Sequence, residues 1–196
     1  MDEEESEVRD PATLVKEFLD MAISADPKDD PRQAGLVRRW HTVVHLSPQS
    51  VGEHSWQLCR ILLAIWPSCP AHMLIHAITH DVGELRVGDM PSPAKTSLDL
   101  SDVLHKAEKS AHLKMCVPWA LPAPVVLTEQ ESVVFKLVEC IDMYEWALYE
   151  LELGNRTAKF IRSRCLNMIA SFMNSPHAEF IVRDAERYLE RRDKVH

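Results

Sequence analysis

The sequence predicts an all-α domain, a helical bundle of about seven helices. Apolar residues recur at helical spacing through nearly all of the 196 residues, and no alternating strand pattern is convincing. Only five glycines occur, while prolines at 67, 70, 91, 93, 118, 122, 124 and 176 punctuate the gaps between periodic stretches. Two segments begin with a hydroxyl residue followed three positions later by glutamate, Ser50/Glu53 and Thr128/Glu131. Each reads as a capping box, in which side chain and backbone satisfy each other's free donors at a helix start.

Taken in order, the first helix covers roughly 11–24, with Leu14, Phe18, Met21 and Ala22 along one side. The second runs over about 51–66 from the Ser50 cap, with Leu58, Ile61, Leu62 and Ile65 as its apolar stripe. The third spans 71–84, and a Pro-rich loop, Gly88 to Lys95, follows it. A fourth covers 101–116, and the longest runs from the Thr128/Glu131 box to Gly154, a suitable left-handed stop. The last two span about 156–173 and 177–192. Residues 1–10 form an acidic segment ahead of a single domain over 11–196.

Composition excludes several classes. No apolar run approaches the roughly 18 residues that a membrane-spanning helix needs. The acidic start MDEEESEVRD is unlike a signal or transit peptide, so a cytoplasmic protein is expected. The net charge of −8 resides in residues 1–30, and residues 31–196 balance. No broad basic surface for duplex nucleic acid is indicated, although a few local cations suffice for a small anion. Five well-separated cysteines without a CxxC read as reduced core thiols.

The chemistry concentrates in HDVGE, where His80 and Asp81 are adjacent and Glu84 follows one turn later. Imidazole nitrogen and carboxylate oxygen both suit a first-row divalent ion, which gives two neighbouring side chains a reason to face one cavity. The Ser50 cap places His54 in the first turn of its helix. Arg38-Arg39-Trp40 precedes these residues, and Lys136 and Glu139 share one face of the long helix. His72 and His76 share a side with His80 and are read as ordinary helix residues; Trp56 and Trp66 are read as core.

RRW, VGEHSW from Val51 and HDVGELRVGDMPSPAK together resemble the HD-superfamily 5′-deoxynucleotidases of bacteria and their phage relatives that hydrolyse dATP. The resemblance runs from about Gly35 to Asn155, with 14 residues from Trp40 to His54 and 14 from Asp81 to Lys95. It implies an HD-domain bundle with a metal site between three helices. His54, His80 and Asp81 would be ligands. The fourth position falls on Glu139, where the family has aspartate, and Asp142 one turn on is the alternative. The ion would be a divalent transition metal: Co, Mn or Zn. Glu84 would orient the attacking water or protonate the leaving 5′ oxygen, and Asp89 would be a second acid or a loop cap. Arg39, Lys95 and Lys136 would grip phosphate, Trp40 would pack on a 2′-deoxy sugar, and Pro93 would wall the base.

The implied reaction is hydrolysis of the 5′ phosphoester, with dATP to deoxyadenosine and triphosphate as the first reading. Release of phosphate from deoxynucleoside monophosphates is the alternative. A homo-oligomer, dimer or hexamer, is also implied, in the cytoplasm or that of an infected host. A metal-stabilised interaction protein without catalysis would need no Glu84 or clustered cations. A cyclic-nucleotide phosphodiesterase shares the His-Asp chemistry, but RRW and GDMPSPAK fit it less well.

Overall fold

A computed structural model describes residue 10, residues 26–116 and residues 118–195. The helix expected over 11–24 lies outside the described residues. The remaining six expected helices are all present. We label the elements α1 (Pro31–Ala34), β1 (Arg38–Arg39), β2 (Gln49–Ser50), α2 (Val51–Ile65), α3 (Ala71–Thr79), α4 (Glu84–Val87), α5 (Ser92–Ser97), α6 (Ser101–Cys116), α7 (Glu129–Glu152), α8 (Ala158–Met173) and α9 (Val182–Val195).

Both capping boxes form as the sequence demands. Ser50 accepts from the Glu53 amide while the Glu53 carboxylate takes the Ser50 amide, and Thr128 and Glu131 do the same at the start of α7. Gly154 adopts φ +96°, a left-handed stop just beyond α7. α7 is buried on nearly every side, which marks it as the central helix. Leu58, Ile61 and Leu62 of α2 pack with Met73 of α3, Leu137, Ile141 and Tyr144 of α7, and Ile169 of α8 in one apolar core. Fully burying each such side chain is worth roughly 1.5–3 kcal/mol.

Three expectations are corrected. The helix expected over 71–84 stops at Thr79, and the chain turns before α4 begins at Glu84. Bonds from Val82 to Thr79, Glu84 to Asp81, Leu85 to Val82 and Arg86 to Gly83 are all three residues long, so the segment tightens toward 3-10 geometry. The Pro-rich stretch expected to be a loop contains α5, because Pro93 occupies the first turn, where a missing N–H costs nothing. Trp56, expected in the core, is 66% exposed, since it lies off the apolar stripe of α2. No regular sheet exists among the described residues; a two-residue antiparallel pair sets Arg38 against Ser50 and Arg39 against Gln49. Trp66 is half-buried and meets Phe180 edge-on.

All five cysteines are free thiols. Burial pushes Cys140 up to about 12 and Cys165 up to about 11, consistent with inert core thiols. Among the described residues no helix is long and apolar enough to cross a membrane.

Two contacts fix the segments that carry chemistry. Glu150, fully buried, accepts the Leu46 amide at 2.8 Å and the Ser47 amide at 2.5 Å, and also Asn155 Nδ2 at 2.6 Å. A buried carboxylate with three donors is satisfied, so it pins the loop between β1 and β2 to α7. Gly83 sits against α6: an added Cβ would lie 2.2 Å from the Glu108 carbonyl oxygen. Gly83→Ala therefore forces α4 and α6 apart, with an expected loss of about 1–3 kcal/mol. Urea denaturation reads this, and an unchanged midpoint would contradict the close approach.

Candidate metal centre and active site

His54 projects from the first turn of α2 into the interior and is 1% exposed. His80 caps the C-terminus of α3, and Asp81 starts the tight turn beside it. One nitrogen from each histidine and one Asp81 oxygen lie within 4.8 Å of one another. His80 Nε2 is 3.1 Å from Asp81 Oδ1, and His54 Nε2 is 3.7 Å from Asp81 Oδ2.

The tautomers follow from the outer ring nitrogens. His54 Nδ1 meets Asp142 Oδ2 at 2.7 Å, and His80 Nδ1 meets the Ala77 carbonyl oxygen at 3.2 Å. Acceptors at both Nδ1 positions call for a proton there. That leaves both Nε2 atoms with lone pairs facing a carboxylate, and neither buried Nε2 has a hydrogen-bond partner. Lone pairs so arranged repel unless a proton or a metal cation sits between them. The donor set therefore fits a divalent transition metal, with outer-ring partners of the kind that orient metal-binding histidines.

Charges nearby are strongly perturbed. Burial opposes ionisation of Asp81, but His80, His54 and Arg39 overcome it and hold its carboxyl well below the usual range. Burial likewise opposes charge on His80, yet Asp81 lifts its pKa above the ordinary value. Burial and the nearby His80 depress His76 to about 4, so it stays neutral, with its ring edge against Phe135.

Glu84 does not share a helix with His80, because α3 ends first. It opens α4 and is 4% exposed. In a three-per-turn segment, residues 81 and 84 lie over one another. Burial first, then the charges of Asp81 and Asp89, push Glu84 up to about 9. A raised pKa suits a group that has to deliver a proton.

The other expected site residues are distributed as follows. Arg39 Nη1 donates to Asp81 Oδ2 at 3.0 Å, so Arg39 braces the centre. Asp89 carries charge felt by both Glu84 and Arg39, and lies 3.8 Å from His41 Nδ1. Lys95 pairs with Glu108 at 3.1 Å, and Lys136, 62% exposed, pairs with Glu139 at 2.6 Å. Pro93 is exposed in the first turn of α5. Glu139 Oε1 lies 4.0 Å from His80 Nε2, on the side that faces Asp81, whereas Asp142, 2% exposed, meets the outer Nδ1 of His54. Trp40 stacks on Trp146 with ring centres 4.1 Å apart and 9° between planes. Sequence reasoning missed Gln49, which lies between Trp40 and Asp142. A polar residue just before a helix cap carries no local signal of such a role.

A helical bundle that converges two histidines and an aspartate on one buried point defines an HD-type phosphohydrolase. A profile of the family described as 5′-deoxynucleotidase YfbR-like matches residues 32–187, and the chain belongs to that family. A 5′-deoxynucleotidase of Pasteurella multocida is 26% identical over 165 residues, covering 74% of this chain and 85% of that protein. A dATP triphosphohydrolase of Salmonella phage PMBT28 is 30% identical over 102 residues, covering 45% of this chain and 52% of that protein. The fold is that of the Cyanophage S-2L HD phosphohydrolase bound to dA and one catalytic Zn2+ ion, with a TM-score of 0.67, 19% identity, and 88% of this chain and 98% of that one covered. The chain is accordingly a deoxynucleotide phosphohydrolase.

Two predictions follow from the geometry. Glu139→Ala should strip more bound metal than Asp142→Ala, because Glu139 lies on the Nε2 side of His80 whereas Asp142 meets the outer Nδ1 of His54; elemental analysis after dialysis reports the order, and the reverse order would reassign the carboxylate. Folding raises the Glu84 pKa from 4.5 to about 9, so its contribution to stability is complete below the lower value and is lost as pH rises toward the upper one. Glu84→Gln should therefore stabilise the metal-free protein at pH 7 by roughly 1–3 kcal/mol and leave it little changed at pH 4. Melting curves at the two pH values test this; equal shifts would show that Glu84 is not held protonated.

Proposed function

We propose that this chain hydrolyses the bond between the 5′ oxygen and its phosphorus in 2′-deoxynucleotides, with dATP giving deoxyadenosine and triphosphate as its leading reaction. The observation that carries this reading is the pair of buried Nε2 atoms without partners, facing Asp81 one tight turn from the buried Glu84. His54, His80 and Asp81 would hold a divalent ion, with Glu139, whose Oε1 lies on the Nε2 side of His80, as the carboxylate from α7 and Asp142 orienting His54 through Nδ1. Zn2+ is the ion in the structurally similar cyanophage enzyme, and Co2+ and Mn2+ suit the same donors. Bound there, such an ion supplies Lewis acidity: it draws charge from the phosphoryl oxygens and acidifies the attacking water.

The remaining steps belong to the side chains. Glu84 gives its proton to the 5′ oxygen as the P–O bond breaks and water oxygen bonds to phosphorus; the proton the water gives up leaves to solvent, and Glu84 regains one from solvent as the products depart. Lys95 and Lys136 swing from their carboxylate partners to the outer phosphates, where charge-assisted hydrogen bonds hold the anion. Arg39 keeps Asp81 ionised and aimed. The Trp40 face takes the sugar, where a 2′-hydroxyl pressed on the ring would lose its water without gaining a partner.

The dATP reading draws on the relatives with the higher local identity, at 30% and 34%. A second reading, phosphate release from deoxynucleoside monophosphates, draws on the family profile and on relatives aligned over 74% and 75% of the chain. Both use one centre and differ in whether Lys95 and Lys136 have outer phosphates to hold.

The deciding experiment incubates metal-loaded protein with each dNTP, dNMP and ribonucleotide and identifies the products. Deoxyadenosine with triphosphate from dATP supports the first reading. Phosphate from dNMPs alone supports the second. No hydrolysis of any of them sinks both and leaves a structural metal site. Glu84→Gln should keep metal but lose about 10²–10⁴ in turnover. Trp40→Ala should bring the rates on dATP and ATP together; equal rates in the wild-type protein would remove the sugar-selection role.

A further inference from the structure

We propose that Gln49 is a positioning residue that couples the metal centre to the sugar-facing Trp40, so that metal occupancy and sugar selection depend on each other. The inference deepens the proposed function and rests on it for the role of Trp40.

The linkage is continuous. Trp40 Nε1 donates to Gln49 Oε1 at 2.9 Å. Gln49 Nε2 donates to Asp142, 3.2 Å from Oδ2 and 3.4 Å from Oδ1. Asp142 Oδ2 meets His54 Nδ1 at 2.7 Å. Gln49 is 7% exposed and Asp142 2%. Water therefore has little access to these groups, and each would be left unsatisfied if its neighbour were removed.

The chemistry of the ends dictates the amide in the middle. An indole N–H can only donate, and an ionised carboxylate can only accept. One side chain must therefore accept at one end and donate at the other. Glutamine does both, and the two partners leave it a single orientation. Glutamate would keep the bond to Trp40 but lose the donor to Asp142 and place a second carboxylate against it. Leucine would fill the space and make neither bond.

Trp40 needs such holding. Its φ of 63° lies in the left-handed region, which a bulky residue adopts only when its surroundings enforce it. The ring is fixed on one face by Trp146, and its N–H is fixed by Gln49. Trp146 and Asp142 are one turn apart on α7, so both restraints are rooted in the same helix. An ion that locks His54 through Nε2 also locks Nδ1 against Asp142, hence the Gln49 amide, hence the tilt of Trp40. By linkage, whatever the ion does for Trp40, Trp40 does for the ion.

The test uses full-length, metal-free protein titrated with Co2+ by calorimetry, beside the ratio of kcat/KM for dATP over ATP. Gln49→Leu should weaken Co2+ binding by up to about 10-fold, the lower end of the effect of losing an outer-shell partner, because Gln49 acts through Asp142. Trp40→Phe keeps an aromatic ring for stacking and deletes only the N–H; it should weaken Co2+ binding several-fold although residue 40 is not a ligand. The double variant should bind no more weakly than Gln49→Leu alone, and Gln49→Leu should lower the dATP-to-ATP ratio at saturating metal. Gln49→Glu should behave like Gln49→Leu for metal despite its equal size. Trp40→Phe with wild-type Co2+ affinity overturns the proposal, and this variant carries the test by itself if Gln49→Leu fails to fold. Weakened, non-additive Co2+ binding in a protein that cleaves no deoxynucleotide would keep the coupling and reject the function. Normal dATP hydrolysis with unchanged Co2+ affinities would do the opposite.

Discussion

Two imidazole lone pairs and one carboxylate facing each other in a dry interior make the constraint on which the site depends. His54 and His80 each have an acceptor at Nδ1, so their Nε2 atoms point at Asp81 with nothing to donate. In water such groups would be hydrated. Buried, they need a shared positive charge, and Arg39 reaches only one side of Asp81. The arrangement is costly without a cation and favourable with one. Metal binding and the stability of this part of the bundle are therefore one equilibrium.

Much of the architecture serves that convergence. The Ser50 capping box sets where α2 begins, and so aims His54 inward. The tight turn after Thr79 brings Asp81 beside His80 and stacks Glu84 over Asp81. Gly83 permits the turn because no side chain separates it from the Glu108 backbone. α7 supplies Asp142 to one histidine, Phe135 to the other and Trp146 to Trp40. A single rigid helix thus orients the metal ligands and the aromatic wall, leaving little freedom between them.

What the sequence revealed was local. Both helix starts were legible because Ser50/Glu53 and Thr128/Glu131 complete their hydrogen bonds within four residues. His54, His80 and Asp81 were legible because their residue types and order already resemble a family pattern. The break after Thr79 was not, because apolar periodicity continues through it and the close approach of Gly83 to α6 is a tertiary contact. The same limit applies to Glu139 and Asp142, which share a helix face. Their difference lies in the partners, since Lys136 holds one and His54 the other. Trp56 illustrates that an aromatic residue within a helix can still face outward. Gln49 could be recognised only once both of its neighbours had been placed.

The account turns on where the metal sits. A crystal structure of the protein loaded with Co2+ tests this most directly. The account predicts one ion at about 2.0–2.2 Å from His54 Nε2, from His80 Nε2 and from an Asp81 oxygen. An ion bound elsewhere, or a fully loaded protein whose two Nε2 atoms remain uncoordinated, would contradict it.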